Sequence, residues 1–458
     1  MNKLKCYVLI LIVVLGSSIL GGCDWDFSDS SSSGSGYYQY ANLVSQSPSI
    51  EFVVDDESLG EIEFSYATTH EYISSGTYDI EFNQILPNTE NDNFIDDDSL
   101  RVYSNTLHSY ILYGDTDSPS SYTVEMDISD IYDDDFDDEY AMVQFVNLIN
   151  NEDSVDMYLL DADDNLINQT ADYSLAMADT SGDVELPEGD YKIIFTEVGT
   201  DTILAQKNDI SISEAEALIY ILTSYTVAGS DNTRYKIIEL SSSGARTLSN
   251  QAANGHIRVA NGVSNTDAIS IAVGDSTDII ETDIAIGDLS EDIEISISSS
   301  DEVESTSIYI LNSEDSTLLD GTTLNVYADD QILLLSAGDA SSTVSVNETE
   351  EDLRTIETHV KILFSHSIFD QSDGSLEVKI LEEGGNPDSY DAELSVSYLS
   401  TQMYEIESGS YDIYIYNSDN ELLIEHTLYS VEAGNVVNLI TTDYETSGAP
   451  YQIFEHIN

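Results

Sequence analysis

The feature that most narrows what this chain can become is an internal repeat. Around Asn42 the sequence reads YANLVSQSPSIEFVVDD, around Asn147 FVNLINNEDSVDMYLLDADD, and around Asn261 VANGVSNTDAISIAVGDSTD. A weaker fourth version, LFSHSIFDQSDGSLEVKILEEG, surrounds Ser365. Each is a short apolar strand, then a polar loop of Ser, Asn and Asp, then an alternating strand, and the anchors lie 105, 114 and 104 residues apart. A second marker keeps the same period. Ser75-Gly76-Thr77-Tyr78-Asp79-Ile80 matches Glu188-Gly189-Asp190-Tyr191-Lys192-Ile193 and Ser408-Gly409-Ser410-Tyr411-Asp412-Ile413. The third copy lacks it, having only Ser298-Ser299-Ser300 where it should fall. Two markers at one period define a tandem array of supersecondary units.

Within each unit, runs such as IEFVVDD, YDIEF, DIYIY and IEISIS alternate apolar with polar residues. A period of two places one face of a strand in a core and the other in water. Turn signals recur at intervals of roughly 8–12 residues, the mark of a β-sandwich or barrel. The fold class that follows is all-β, with four tandem sandwiches at 37–128, 139–228, 254–340 and 355–447. SEAEALIYI (213–221) has a helical look, but its place in the repeat reads as turn and strand. In the second marker, glycine is expected at positive φ in a turn, with the tyrosine opening an inward strand. Acidic or polar linkers are expected at Asp130–Glu139, Ser230–Asn254 and Ser341–Arg354, since like charges repel and stay extended.

The first residues have another design. Lys3 and Lys5 precede an apolar run from Tyr7 to Leu15, and Leu20-Gly21-Gly22-Cys23 follows small residues. That is the three-part shape of a secretory signal, too short for a convincing spanning helix. The ending resembles the lipobox of bacterial lipoproteins, which implies removal of residues 1–22 and lipidation of Cys23. Residues 23–36 then read as the anchor and a flexible Ser/Gly tether with a reach on the order of 15–20 Å. Asp24 after the cysteine favours inner-membrane retention in some enteric bacteria, and inner and outer membrane both stay open. Beyond Cys23 there is no other cysteine, so neither a disulfide nor a thiolate metal site is available to the mature chain.

Loss of residues 1–22 removes two of 12 basic residues and none of 88 acidic ones, leaving 436 residues with a formal charge of −78. Such a surface repels nucleic acid, which needs basic patches, and anionic headgroups, so membrane attachment falls to the acyl chains. At 41% apolar residues the chain is too hydrophobic for a disordered acidic tail. The charge reads either as adaptation to salty surroundings or as a surface that holds divalent cations.

At the opening strand ending in Val-Asn or Ala-Asn, the Ser/Asp loop, the alternating strand and the Gly-x-Tyr-x-Ile strand, the chain resembles the domain of unknown function 4397 family. That family occurs in tandem in exported bacterial proteins and lipoproteins. The resemblance implies immunoglobulin-like sandwich modules over nearly all of the mature chain and implies no activity, because each shared motif is a packing or turn signature.

Chemistry is sparse. The seven histidines (His70, His108, His256, His359, His366, His426 and His456) form no H-E-x-x-H pair. Gly274-Asp275-Ser276 lacks the partner histidine of a hydrolase and reads as a hairpin turn. Asp161, Asp163 and Asn165, with Asp133, Asp134 and Asp135, are candidate oxygen ligands for Ca²⁺, though neither run has the full calcium-loop pattern. The reading is a non-catalytic, lipid-anchored cell-envelope protein, periplasmic or surface-exposed, whose modules act as spacer, adhesion or binding elements. Its partners would be the membrane through the lipid and an envelope protein or polysaccharide. The alternative is a calcium-dependent carbohydrate or polymer binder.

Overall fold

A computed structural model of the chain describes residues 34–87, 92–116, 118–129, 131, 140–150, 154–162, 164–229, 233–298, 303–443 and 448–458. Cys23, Asp133–Asp135, Asp163 and most of Asp130–Glu139 lie outside them. The regular structure of the described residues is strand, apart from two single 3-10 turns at Phe369–Gln371 and Pro387–Ser389. Among them no helix is long and apolar enough to cross a membrane.

The strands form eight sheets, two per repeat, so each repeat is a sandwich. All four modules share one topology. In module 1 the strands are 1 (Ser35–Val44), 2 (Ile50–Val54), 3 (Glu57–Ile62), 4 (Tyr66–Ala67 with Glu71–Ser74), 5 (Gly76–Gln84), 6 (Asp92–Val102), 7 (Thr106–Gly114) and 8 (Ser120–Asp127). Numbered so in each module, the first sheet runs 4-1-7-8 and the second 3-2-5-6, with a ninth strand, Gly244–Leu248, added to the first sheet of module 2. In module 1 the first sheet is built on Ser35–Val44 and Thr106–Gly114 and the second on Ile50–Val54 and Gly76–Gln84. Strand 1 pairs with strand 7 in parallel in every module: Tyr37 opposite Leu107, Met142 opposite Ala217, His256 opposite Gln331 and Lys361 opposite Val436. The sandwich architecture is as expected, with an order of its own. In immunoglobulin constant-type domains the first strand lies beside the second.

Why the two sheets differ can be read from burial. Strands of the second sheet, such as Ile50–Val54, alternate buried and half-buried residues, because one face meets water. The opening strands are buried almost throughout, and Val360–Ser367 is buried at every residue. A strand covered on both faces carries a near-continuous apolar run. One cover is the module's own core, such as Phe52, Ile80 and Phe82 in module 1 and Phe145, Phe195 and Tyr220 in module 2. The other is a neighbouring module. Leu43, Ile111 and Met126 of module 1 share one apolar cluster with Leu148, Ile221 and Leu240 of module 2. Ala260, Leu333 and Leu335 of module 3 meet Ile440 of module 4. A third cluster joins the pairs: Phe64, Tyr225, Val227, Leu353, Leu363 and Val436.

The repeat asparagine is a buried tie. Asn42, Asn147 and Asn261 each accept from the amide two residues ahead (Val44, Ile149 and Val263, 2.9–3.2 Å). Each also donates Nδ2 to a carbonyl of the facing edge (Ile62, Leu175 and Ile284, 2.9–3.1 Å). Their own carbonyls accept from Ser65, Ala178 and Gly287, all at positive φ. In module 4 the same role falls on His366, not Ser365. The His366 carbonyl accepts from Leu399 (φ 57°), and its Nδ1 accepts from Ile368 at 3.2 Å. The fourth anchor is therefore displaced by one residue, because a ring nitrogen has taken the place of the amide oxygen.

The Gly-x-Tyr marker has a cause other than the expected one. Gly76, Gly189 and Gly409 are not at positive φ. A Cβ on any of them would lie 3.3–3.5 Å from the ring of the tyrosine two residues on. That ring folds over the glycine so that its hydroxyl donates to a carbonyl four residues back: Tyr78 to Ser74 at 2.6 Å, Tyr191 to Pro187 and Tyr411 to Glu407 at 2.9 Å. The tyrosines are accordingly half-buried at the core margin rather than inside it.

Two expected linkers are sheet. Thr233–Ser241 and Gly244–Leu248 extend module 2's first sheet, and Thr343–Glu350 is the eighth strand of module 3. Gln452–Ile457 likewise adds to module 4, and Ser35 and Gly36, expected in the tether, pair with Ser74 and Ile73. Ser213–Ile221 is turn and strand as read, and Gly274–Thr277 turns between paired strands.

Candidate functional site

Of the residues singled out as cation ligands, Asp161 ends the strand Val155–Asp161 and Asn165 lies in the turn beyond it. The turn is closed by Asp164 N donating to the Asp161 carbonyl at 2.9 Å, and Asn165 Oδ1 accepts from Ile167 N at 3.1 Å. Lys192 Nζ donates to the Asp164 carbonyl at 2.6 Å. One carbonyl thus already faces an ammonium and one amide oxygen is engaged in the turn. Among the described residues no three His, Cys, Asp or Glu side chains converge with metal-ligand geometry.

The histidines are held singly. His108 Nε2 accepts from Tyr103 N at 2.9 Å, and burial pushes this imidazole down to about 4. His256 pairs with Asp292 at 2.7 Å and His359 with Glu405 at 3.1 Å. His456 Nε2 meets the Gly287 carbonyl at 2.8 Å, a module 4 to module 3 contact.

What the sequence did not single out is a groove of about 570 Å³ where Pro87 of module 1 faces module 4. Glu405 reaches it from the strand Ser400–Ile406, and Glu382 and Glu383 from the end of Ser375–Glu382 and the turn after it. Gly384, at φ 84°, turns that chain back. Glu393 and Glu407 complete the acidic lining, with Tyr390, Tyr404 and Tyr411 between them. Tyr390 is 54% exposed and presents its ring to solvent. Burial, reinforced by Glu407 and Glu382, raises the Tyr411 hydroxyl, and burial with Glu393 raises that of Tyr404, so both rings stay neutral donors. Burial alone would raise Glu405. The His359 hydrogen bond and the charges of His359, Lys361 and Arg354 outweigh it and hold the carboxyl low.

Carboxylates accept hydrogen bonds and attract cations, and tyrosine faces stack on apolar sugar faces or on cationic groups. The groove can therefore hold an amine-bearing or hydroxyl-rich ligand. With 88 acidic residues in the chain, no pattern marks these glutamates in the sequence. All of them belong to module 4, where the turn after Ser375–Glu382 and the strand Ser400–Ile406 bring them together, and module 1 adds Pro87 at the rim.

No family model matches the chain, and a search of curated proteins finds no similar sequence. Among solved structures, the chain is similar to the Bacillus anthracis TIE protein at 10% identity and a TM-score of 0.16, over 90% of this chain and 68% of that one. A putative cell adhesion protein from Bacteroides uniformis is matched at 10% identity and a TM-score of 0.16, over 45% of this chain and 98% of that one. A TM-score of 0.16 carries no argument about function.

Proposed function

We propose that this is a non-catalytic cell-envelope protein, lipid-anchored through Cys23, whose fused sandwiches serve adhesion or binding. The resemblance of its repeats to the domain of unknown function 4397 family belongs to the same proposal. One observation carries the binding half of it: the carboxylate- and tyrosine-lined groove of module 4, bordered by Pro87 of module 1. The interfaces between modules favour binding over spacing, since a spacer gains length from modules that stay apart. The ligand class is an amine-bearing or hydroxyl-rich polymer of the cell surface.

The test uses the full chain in detergent with a lysine-rich peptide and a neutral oligosaccharide as probes. Binding of one of them, weakened about tenfold by Tyr390→Ala with Glu382→Gln, is expected. No binding of either probe, or equal binding by the variant, rejects the groove. Incorporation of labelled palmitate that Cys23→Ser abolishes tests the anchor separately, and equal labelling of the variant rejects it.

A further inference from the structure

The chain beyond Cys23 has ten basic residues, and five of them lie where modules meet. Arg234 of module 2 pairs with Asp329 of module 3 at 3.2 Å, and Tyr225 OH donates to the same carboxylate at 2.8 Å. Lys236 lies 4.4 Å from the centre of the Tyr225 ring and 6.0 Å from that of Phe64 in module 1. Arg354, on the segment between modules 3 and 4, lies 5.0 Å from the Phe64 ring. Its Nη1 donates to the carbonyls of Ser45 and Ser47 in module 1, at 3.2 and 2.8 Å. Lys361, 1% exposed, pairs with Asp352. Arg258 of module 3 grips Glu351 and reaches Asn458 of module 4, so its contacts, like the Lys361 pair, lie within the 3–4 half and back the seam from one side. Gln46 completes the seam by donating to Thr355 Oγ1 at 2.8 Å, while its carbonyl accepts from Glu357 N at 3.0 Å.

The seam between the pairs 1–2 and 3–4 thus differs in kind from the interface inside pair 1–2. Its apolar cluster is far smaller, and its cohesion comes from cations set among carbonyls, rings and carboxylates. Both halves otherwise expose mainly carboxylates, whose repulsion pushes them apart. Salt acts unequally on these two forces. Exposed charges are screened within a Debye length, roughly 30 Å at 0.01 M and about 3 Å at 1 M, whereas buried pairs are screened much less. Added salt removes the opening force faster than the closing one.

We infer that the seam is an ionic-strength-dependent latch: the two module pairs separate as rigid halves at low salt and close at high salt, with Arg354 as the bolt. Closure brings module 1 against module 4 and so completes the face containing Pro87. This holds whether or not the groove there binds a ligand.

Amide hydrogen exchange of the full chain in detergent, at 0.02 and 0.5 M NaCl, tests the latch. Protection over 44–47, 225–229 and 352–358 should rise about tenfold with salt, while amides of the second sheets in all four modules change less than twofold. Seam amides that do not respond, or that respond in step with those module cores, overturn the proposal. Arg354→Gln should lower seam protection about tenfold at both salt concentrations, and Arg354→Lys, which restores charge without the fork, should recover part of it. Should the glutamine variant fail to fold, the comparison of the unmodified chain at two salts still decides. Probe binding in the groove is not read in this experiment, so the two proposals fail separately.

Discussion

The interface between modules 1 and 2 and the one between modules 3 and 4 use the same face of the same sheet, yet they are built oppositely. Leu43 and Leu148 occupy matching positions, one residue after the repeat asparagine, and both enter the large shared cluster. The corresponding residues in modules 3 and 4 are Gly262 and Ser367. There a Cβ on Gly262 would lie 2.2 Å from Ser367 Oγ, and one on Gly287 would lie 2.1 Å from the Phe454 ring. One pair is held by large side chains from both partners, whereas in the other module 4 side chains seat directly on glycine backbone of module 3. Polar ties follow the same division. Gln39 donates to Ser241 O of module 2 and Gln144 to Glu125 O of module 1, both at 2.8 Å, a reciprocal exchange. At the equivalent positions modules 3 and 4 have Arg258 and Leu363. The lesson is that a repeated face fixes where modules can meet, while one position per strand decides how closely.

The largest effect should come from emptying the side-chain interface. Leu148→Ala removes a side chain 1% exposed and should cost about 2–5 kcal/mol, read as an earlier urea transition of modules 1 and 2. If modules 3 and 4 lose as much, the two interfaces are not independent. The converse change fills the backbone interface: Gly262→Ala should cost about 1–3 kcal/mol, because the neighbour Ser336 O is also only 2.9 Å from the added carbon. A neutral result would mean that modules 3 and 4 meet more loosely than their backbones indicate.

A smaller change sharpens the comparison of anchors. His366 is fully buried, its Nε2 has no hydrogen-bond partner, and burial pushes its pKa down to about 4. His366→Asn restores the group that in the other modules donates to the facing carbonyl, and should stabilise module 4 by about 1 kcal/mol at pH 7.5. The pH dependence has a definite sign. The unfolded histidine binds a proton below about 6.5, and the folded one only near 4. Histidine therefore destabilises the fold progressively as pH falls from about 6.5 to 4, and the advantage of the asparagine variant should grow over that window. Melting curves of both proteins at pH 7.5 and 5 check this, and a constant difference would show that the ring is not buried in its neutral form.

Much of the architecture was legible because alternation and period are properties of the chain alone. Four modules, the turn at 213–216 and the hairpin at Gly274 follow from them. The fourth anchor slipped by one residue because a histidine nitrogen does the work of an asparagine oxygen, a substitution that letter matching does not register. Thr233–Ser241 passed for linker because TRYKIIELS has charged and polar residues at its start, yet its Ile237 is buried in the core of module 2 and its Ile238 and Leu240 between modules 1 and 2. Positive φ at Ser65, Ala178 and Leu399 had no signal, since none is glycine or asparagine. The groove was invisible for a simpler reason: its glutamates sit in one module among 88 acidic residues, and no spacing sets them apart.

The parallel pairing of strands 1 and 7 also sets a timetable. Tyr37 faces Leu107 and Met142 faces Ala217, so each opening strand waits for a partner 70–75 residues further along. A ribosome adding about 5–20 residues per second imposes a delay on the order of 4–15 seconds. Throughout it the opening strand lacks the parallel partner that joins it to the rest of its sheet. Sequence-distant pairing of this kind also slows folding once the chain is complete. Each module can thus assemble its second sheet first, and its first sheet is completed only when the seventh strand arrives between strands 1 and 8.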